Sequence, residues 1–448
     1  MHETFYIVCG YGGTGSLLVE ALDSKGIRVV TLDISQDRIN ELELQDCQSP
    51  VPGLCADARL PEMLLHAGIS HPLCGGVAAL TDDDHANLAI AVAVKLINPD
   101  LMVLCRAENE ETAANMASFG TDHIINPYEL FGEHLAMEVH SIGTYLLHEW
   151  LTGTPGSSLP TPACPPVGNW VVCGYGRFGK AVIKNLEREH IQTVIIEADP
   201  ELTGCENCIV GSGAESRTLI EAGIKDAVGL VAGTDNDINN LSIVMTALEI
   251  NPGLFVVIRK NKRHNAPLFQ HFNADITMQP TDIIAHECLA YLITPMLAQF
   301  LSLARGQSNA WAGQLIGKLV ETMGEGVPEL WRVTLIAEQA PAIVNKLGHG
   351  KQVTIATLMG DPTNRELILP MYPLLLVRNQ QPVLLPPINT PLALDDRILF
   401  CGTPAAKNSH PLLLINRKVL TYVMDGVEVP DGLVWRWLAT RKKRAKSS

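Results

Sequence analysis

Short, continuously apolar runs alternate along the chain with longer stretches in which apolar residues recur every three or four positions. The runs at 6–9, 28–32, 76–79 and 102–105 read as strands buried on both faces, because neither face is left polar. Between them, 16–25, 61–67 and 87–97 carry the spacing of amphipathic helices. Buried strands separated by helices predict a doubly wound parallel sheet of the α/β class. The same order of elements returns over 170–258.

The pattern returns because the sequence repeats. Gly10-Tyr11-Gly12-Gly13-Thr14-Gly15 recurs as Gly174-Tyr175-Gly176-Arg177-Phe178-Gly179, and Asp33 recurs as Glu197. Further on, Thr81-Asp82 matches Thr234-Asp235, Asn87-Leu88 matches Asn240-Leu241, Arg106 matches Arg259 and Pro127 matches Pro280. This divides the chain into a first Rossmann-like domain at 1–130, a connecting helix at 131–152 and a linker at 153–168 stiffened by Pro155, Pro160, Pro162, Pro165 and Pro166. A second Rossmann-like domain at 169–285 and a helical connector at 286–327 follow. Strand candidates at 330–336, 352–358, 374–378, 382–385 and 397–401 predict a small α+β domain at 328–405, before a tail at 406–448. The helical stretches at 128–150 and 281–305 hold more apolar residues than one lobe covers, so a homodimer or higher oligomer is expected to form there.

Each glycine motif stands between a strand and a helix, the context in which it has a physical purpose. The first Gly permits the tight turn, the second lets a pyrophosphate approach the backbone, and the third lets the helix lie close to the strand. The helix start then offers free N–H groups to the phosphates. Asp33 and Glu197, each ending the next strand, are placed to accept hydrogen bonds from ribose hydroxyls, and their charge repels a 2′-phosphate. The pattern favours NAD(H) or an adenine nucleotide, ATP or ADP. The copies differ in detail: Asp57 follows the third strand of the first, where the second has Ser212, and Arg177 in the second loop replaces Gly13. Arg106 and Arg259 end their fifth strands, placed either to touch a phosphate or to pair with the acidic turns 82–84 and 235–237.

The charge balance of 33 Lys and Arg against 48 Asp and Glu, net −15, argues against a broad grip on nucleic acid. Arg441, Lys442, Lys443, Arg444 and Lys446 form the one basic run, either solvated or suited to an anionic surface. The 11 Cys lie mostly in apolar runs and read as reduced thiols, and Cys205-Glu206-Asn207-Cys208 lacks partners at metal-ligand spacing. The apolar stretch 288–304 contains Pro295 and Gln299 and reads as a buried helix, and no leader peptide is visible, so a cytoplasmic location is expected. His123, His264 and His271 stand singly, and no catalytic set surrounds them. The acidic turns read as loop charge or as ligands for a divalent cation. An NAD-dependent oxidoreductase with a substrate site between the lobes is the competing functional class.

Cys173 to Gly179, the Gly-Ser-Gly-Ala at 211–214 with Glu221-Ala222-Gly223-Ile224, Thr234-Asp235-Asn236-Asp237 with Asn240, and Arg259 resemble the RCK (regulator of potassium conductance) or TrkA N-terminal domain. Residues 394–402, after Val377-Arg378 and Pro386-Pro387, resemble its C-terminal domain, with Asp395-Asp396 where Gly-Asp is usual. The resemblance implies a non-enzymatic cytoplasmic regulatory subunit or gating module at the inner face of the membrane. Its implied partner is an integral membrane potassium channel or transporter. It implies nucleotide binding by Gly10, Tyr11, Gly12, Gly13, Thr14, Gly15, Asp33, Asp57, Thr81 and Arg106, and by Gly174, Tyr175, Gly176, Arg177, Phe178, Gly179, Glu197, Ser212, Thr234 and Arg259. The layout departs from the usual tandem, since no C-terminal domain separates the two copies.

Overall fold

The computed structural model describes residues 4–153, 157–159, 161–270, 272 and 274–427. The basic run at 441–446, part of the Pro-rich linker and His271 lie outside the described residues. The chain forms two compact units, one of Met1–Tyr145 with Thr161–Ile293 and the other of Leu146–Pro160 with Thr294–Ser448.

The first unit holds both repeats as lobes. The first lobe runs β1 (Phe5–Cys9), α1 (Gly13–Ser24), β2 (Arg28–Asp33), α2 (Gln36–Leu44), β3 (Gly53–Cys55), α3 (Pro61–Ala67), β4 (Cys74–Ala79), α4 (Asp84–Ile97), β5 (Met102–Arg106), α5 (Glu110–Ser118), β6 (His123–Ile125) and α6 (Pro127–His140). After α7 (Ile142–Thr152) the second lobe repeats the order. It comprises β7 (Trp170–Cys173), α8 (Arg177–Arg188), β8 (Thr193–Glu197), α9 (Pro200–Thr203), β9 (Ile209–Val210), α10 (Ser216–Glu221), β10 (Gly229–Ala232), α11 (Asp237–Ile250), β11 (Phe255–Arg259), α12 (Ala266–Gln270), β12 (Ile276–Met278) and α13 (Pro280–Ile293). The sheets run β3-β2-β1-β4-β5-β6 and β12-β11-β10-β7-β8-β9, the same order read from opposite edges, and every pairing is parallel. The doubly wound α/β class expected from the alternation of runs is therefore the fold.

The last helix of each lobe crosses to the other. Tyr128, Phe131 and Leu135 of α6 are buried with Trp170, Phe178 and Val182 of the second lobe. Reciprocally, Ile284, Cys288 and Leu292 of α13 are buried with Val8, Leu18 and Leu22 of the first. Part of the apolar surplus at 128–150 and 281–305, which the sequence reading assigned to contacts with a second copy, is thus covered within the chain. That part exists because α6 and α13 each cover a lobe other than their own, and that lobe is in the same chain. The expected single helical stretch at 281–305 is also broken, into α13 and α14 (Pro295–Arg305). Pro295 has no N–H to continue the ladder, and it disfavours a helical conformation at Thr294 before it. Among the described residues no single helix is long and apolar enough to cross a membrane.

In the second unit, α15 (Asn309–Met323) precedes β13 (Glu329–Thr334), α16 (Pro341–Gly348), α17 (Ile355–Met359), β14 (Met371–Arg378), β15 (Gln381–Leu384), β16 (Arg397–Gly402), α18 (Pro404–Ile415) and α19 (Arg417–Asp425). The antiparallel sheet has the order β13-β16-β14-β15. Four of the five expected strands are present; the run at 352–358 instead becomes α17. A capping box between Thr354 and Thr357 starts that helix, and Ile355, Leu358 and Met359 then fall on one buried face. The tail reading also gives way, since Ala406, Leu414 and Leu420 of α18 and α19 complete the core of this module.

Candidate functional site

Both glycine loops lie at the carboxyl ends of the strands, where the strand order reverses. This is the point at which open α/β sheets bind ligands. In the first loop Gly10 has φ +98°, in the left-handed region, and a Cβ there would meet the Thr81 nitrogen at 2.9 Å. A Cβ on Gly15 would stand 1.9 Å from the Gly10 carbonyl oxygen, so no side chain fits. The second loop repeats this, with Gly174 at φ +100° and a Gly179 Cβ 2.0 Å from the Gly174 oxygen. Helices α1 and α8 begin immediately after Gly12 and Gly176, neither of which caps the helix with a side chain. Their first N–H groups are available to an anion. Thr14 is buried in the first turn of α1.

The acidic residues brace these loops. Asp33 accepts from the Tyr11 N–H at 2.6 Å and the Ser35 N–H at 2.8 Å; Glu197 accepts from the Tyr175 N–H at 2.6 Å and the Asp199 N–H at 2.9 Å. A carboxylate has about four acceptor positions, which leaves capacity for ribose hydroxyls. Gly10, Asp33, Asp57 and Thr81 meet in one cleft of ≈ 390 Å³, with Arg38 and Arg59 on its walls. The volume lies within the range of small-molecule sites. Asp57 is gripped by the Arg59 guanidinium at 2.7–3.1 Å, and those hydrogen bonds hold its carboxyl below the usual range. Its counterpart Ser212 performs the same local turn, accepting from the Ala214 N–H at 3.2 Å as Asp57 accepts from Arg59 at 3.0 Å.

Arg106 and Arg259 both pair with the acidic turns. Arg106 Nη1 lies 2.6 Å from Asp82 and its Nη2 on Glu108, while Arg259 Nη1 lies 2.7 Å from Asp235 and its Nη2 donates to the Tyr128 hydroxyl at 3.1 Å. The acidic turns are occupied by protein donors. Asp84 accepts from the Glu108 and Asn109 N–H groups, and Asp237 from Asn261, Lys262 and Asn265. Phe178, counted with the glycine loop, is fully buried in the lobe core against Phe131.

Two roles escaped sequence reasoning. Asn87 and Asn240, marked in the sequence by the repeat and, for Asn240, by the motif it belongs to, tie strand ends together. Each accepts from the N–H and hydroxyl of Thr81 or Thr234 and donates to the carbonyl of Arg106 or Arg259. Both are wholly buried, so Asn87→Ala strands several backbone groups and should lower stability by about 2–3 kcal/mol in thermal unfolding. A loss within experimental error would contradict that role. The other is Glu108, whose side chain is 6% exposed and receives Arg177 Nη1 at 2.7 Å as well as Arg106. The signal for it lay in a second difference between the copies, Glu108 against Asn261, that accompanies the replacement of Gly13 by Arg177.

The TrkA-N domain family model matches residues 6–127 and 170–280. Potassium channel protein 1 of Methanocaldococcus jannaschii is 28% identical over 140 residues, which span 30% of this chain and 42% of that protein. Less than half of that relative is therefore represented. Among solved structures, the GsuK RCK domain aligns over 91% of this chain and 94% of its own, with TM-score 0.53 and 14% identity. The GsuK channel bound to NAD aligns over 91% and 78%, again with TM-score 0.53 and 14% identity, a likeness of fold. With more than half of its length matched by the family model in two copies of one fold, the chain belongs to the TrkA-N domain family.

Proposed function

We propose that this chain is a nucleotide-binding regulatory module that governs potassium passage through an integral membrane channel or transporter, from the cytoplasmic side and within a larger assembly. The observation that carries the reading is a pair of glycine loops, each braced by a buried carboxylate, with the second loop wired to the first lobe through Arg177 and Glu108. The donor set suits NAD(H) or an adenine nucleotide. Gly10 and Gly15 leave a cradle that any Cβ would fill, and Asp33 retains acceptor capacity for a ribose diol. When bound, such a nucleotide supplies a pyrophosphate and a diol to be recognised. In the first site Asp33 and Asp57 would hold the adenosine part and the start of α1 the phosphates.

In the second site Arg177 has two acceptors within reach of its role, the Glu108 carboxylate and a phosphate at the start of α8. Its side chain is 64% exposed, so the change of partner needs only a rotamer change. Release of Glu108 would alter a contact between lobes, and a ligand that binds the two arrangements unequally biases the balance between them. The relatives named for potassium channels support the same assignment. Isothermal titration of the purified chain with NADH, NAD, ATP and ADP tests it. Binding by at least one is expected, with Asp33→Ala weakening the first site and Glu197→Ala the second. Absence of binding by all four would sink the proposal.

A further inference from the structure

The contact between lobes has two halves that the repeat relates in position but that differ in charge. In one half α8 lies on α6, and Lys184 Nζ reaches Glu110 at 2.9 Å and Glu129 at 3.1 Å while Arg177 reaches Glu108. In the other half the repeat places Glu20 of α1 at the position of Lys184, and Asn261, Arg263 and Asp282 at the positions of Glu108, Glu110 and Glu129. Glu20, Arg263 and Asp282 there line a cleft of ≈ 480 Å³ between α1 and the second lobe. At the Lys184 position and at the Glu110 position, the sign of the charge is thus reversed between the copies.

We propose that this reversal is a pairing code, by which each lobe selects the unlike lobe of its own chain and rejects the like lobe of a second copy. The correspondence of positions fixes what the alternatives would bring together. Two first lobes would set Glu20 against Glu110 and Glu129 in both halves. Two second lobes would set Lys184 against Arg263, leaving it Asp282 as its one carboxylate, and leave Arg177 facing Asn261, in both halves. Only the unlike pair gives Lys184 two carboxylates with no cation beside them and gives Arg177 one. Exposed pairs contribute little individually, but forcing like charges together costs more than opposite charges gain, so the discrimination lies mainly in the rejected pairings. The covalent connection between the lobes adds an effective concentration to the same choice. A second copy must then attach through other surfaces, leaving α6 and α13 committed within the chain.

Charge reversal in the full chain tests the code. Lys184 is 41% exposed, so Lys184→Glu is expected to fold, to lose amide protection in α6 and α8, and to unfold about 2–4 °C lower. Adding Glu110→Lys and Glu129→Lys to that variant should restore both readouts. Zero-length carbodiimide coupling of a mixture of unlabelled and ¹⁵N-labelled chains, refolded together, should join Lys184 to Glu110 or Glu129 within chains of one isotope. Unchanged protection in Lys184→Glu, failure of the triple variant to recover, or mixed-isotope links at statistical abundance would each overturn the proposal.

Discussion

Gly179→Ala is expected to cost the second lobe roughly 3 kcal/mol, the upper end for overpacking a closed site, and to abolish nucleotide binding there. The added methyl would stand 2.0 Å from the Gly174 carbonyl oxygen, and backbone cannot rotate away as a side chain can. Gly176→Ala makes the decisive contrast. Nothing lies within 4 Å of a Cβ at that position and its φ of −72° suits any residue, so stability should change by no more than about 0.5 kcal/mol. Yet the methyl would occupy the space through which a phosphate reaches the start of α8, and affinity at the second site should fall at least about tenfold, or ~1.4 kcal/mol. Thermal unfolding and calorimetric titration of both variants separate the two effects. If Gly176→Ala bound nucleotide as the parent does, the glycine would serve the turn alone.

How much of this was legible in the sequence depended on the range of the interaction. The strands and helices of both lobes follow from local periodicity, and the glycine loops with Asp33 and Glu197 from fixed spacing. The run at 352–358 misled because Thr354, Ile355, Thr357 and Leu358 suit a strand as well as a helix, and the capping box decides between them only once the chain folds. Glu108 was out of reach for another reason. Its partner Arg177 lies far along the sequence in a different lobe, and neither residue differs in type from an ordinary surface charge. The crossing of α6 and α13 left a trace, an excess of apolar residues. That trace names an uncovered face and not what covers it, so a second copy and the other lobe read alike.

In the C-terminal module the largest single loss is expected from Asp396→Asn, about 3 kcal/mol. Asp396 is completely buried and holds Arg378 through a two-pronged contact, Nε to Oδ1 at 2.8 Å and Nη2 to Oδ2 at 2.6 Å, while the Ala393 N–H donates to Oδ2 at 2.8 Å. Arg378 Nη2 also donates to the Pro391 carbonyl at 2.7 Å, so the pair fastens the loop before β16 to the end of β14. Breaking a buried pair from one side costs about 3–5 kcal/mol, and the 37% exposure of Arg378 favours the lower figure because the stranded guanidinium can reach water. Arg378→Lys should cost less than Asp396→Asn, since a single ammonium cannot span both oxygens but keeps the charge. Asp396→Asn with Arg378→Met should recover part of the loss, because no buried charge is then left alone. The neighbouring Asp395 carries φ +64°, which explains why glycine is usual in this position of the motif, and Asp395→Gly should be neutral or slightly stabilising. Trp331 of β13 stacks on Phe400 of β16, so in a background with the other five of the six tryptophans replaced its fluorescence reports this module separately from the two lobes during denaturant unfolding. A loss below about 1 kcal/mol for Asp396→Asn would mean that the ion pair is ornamental and that the apolar core alone closes the module.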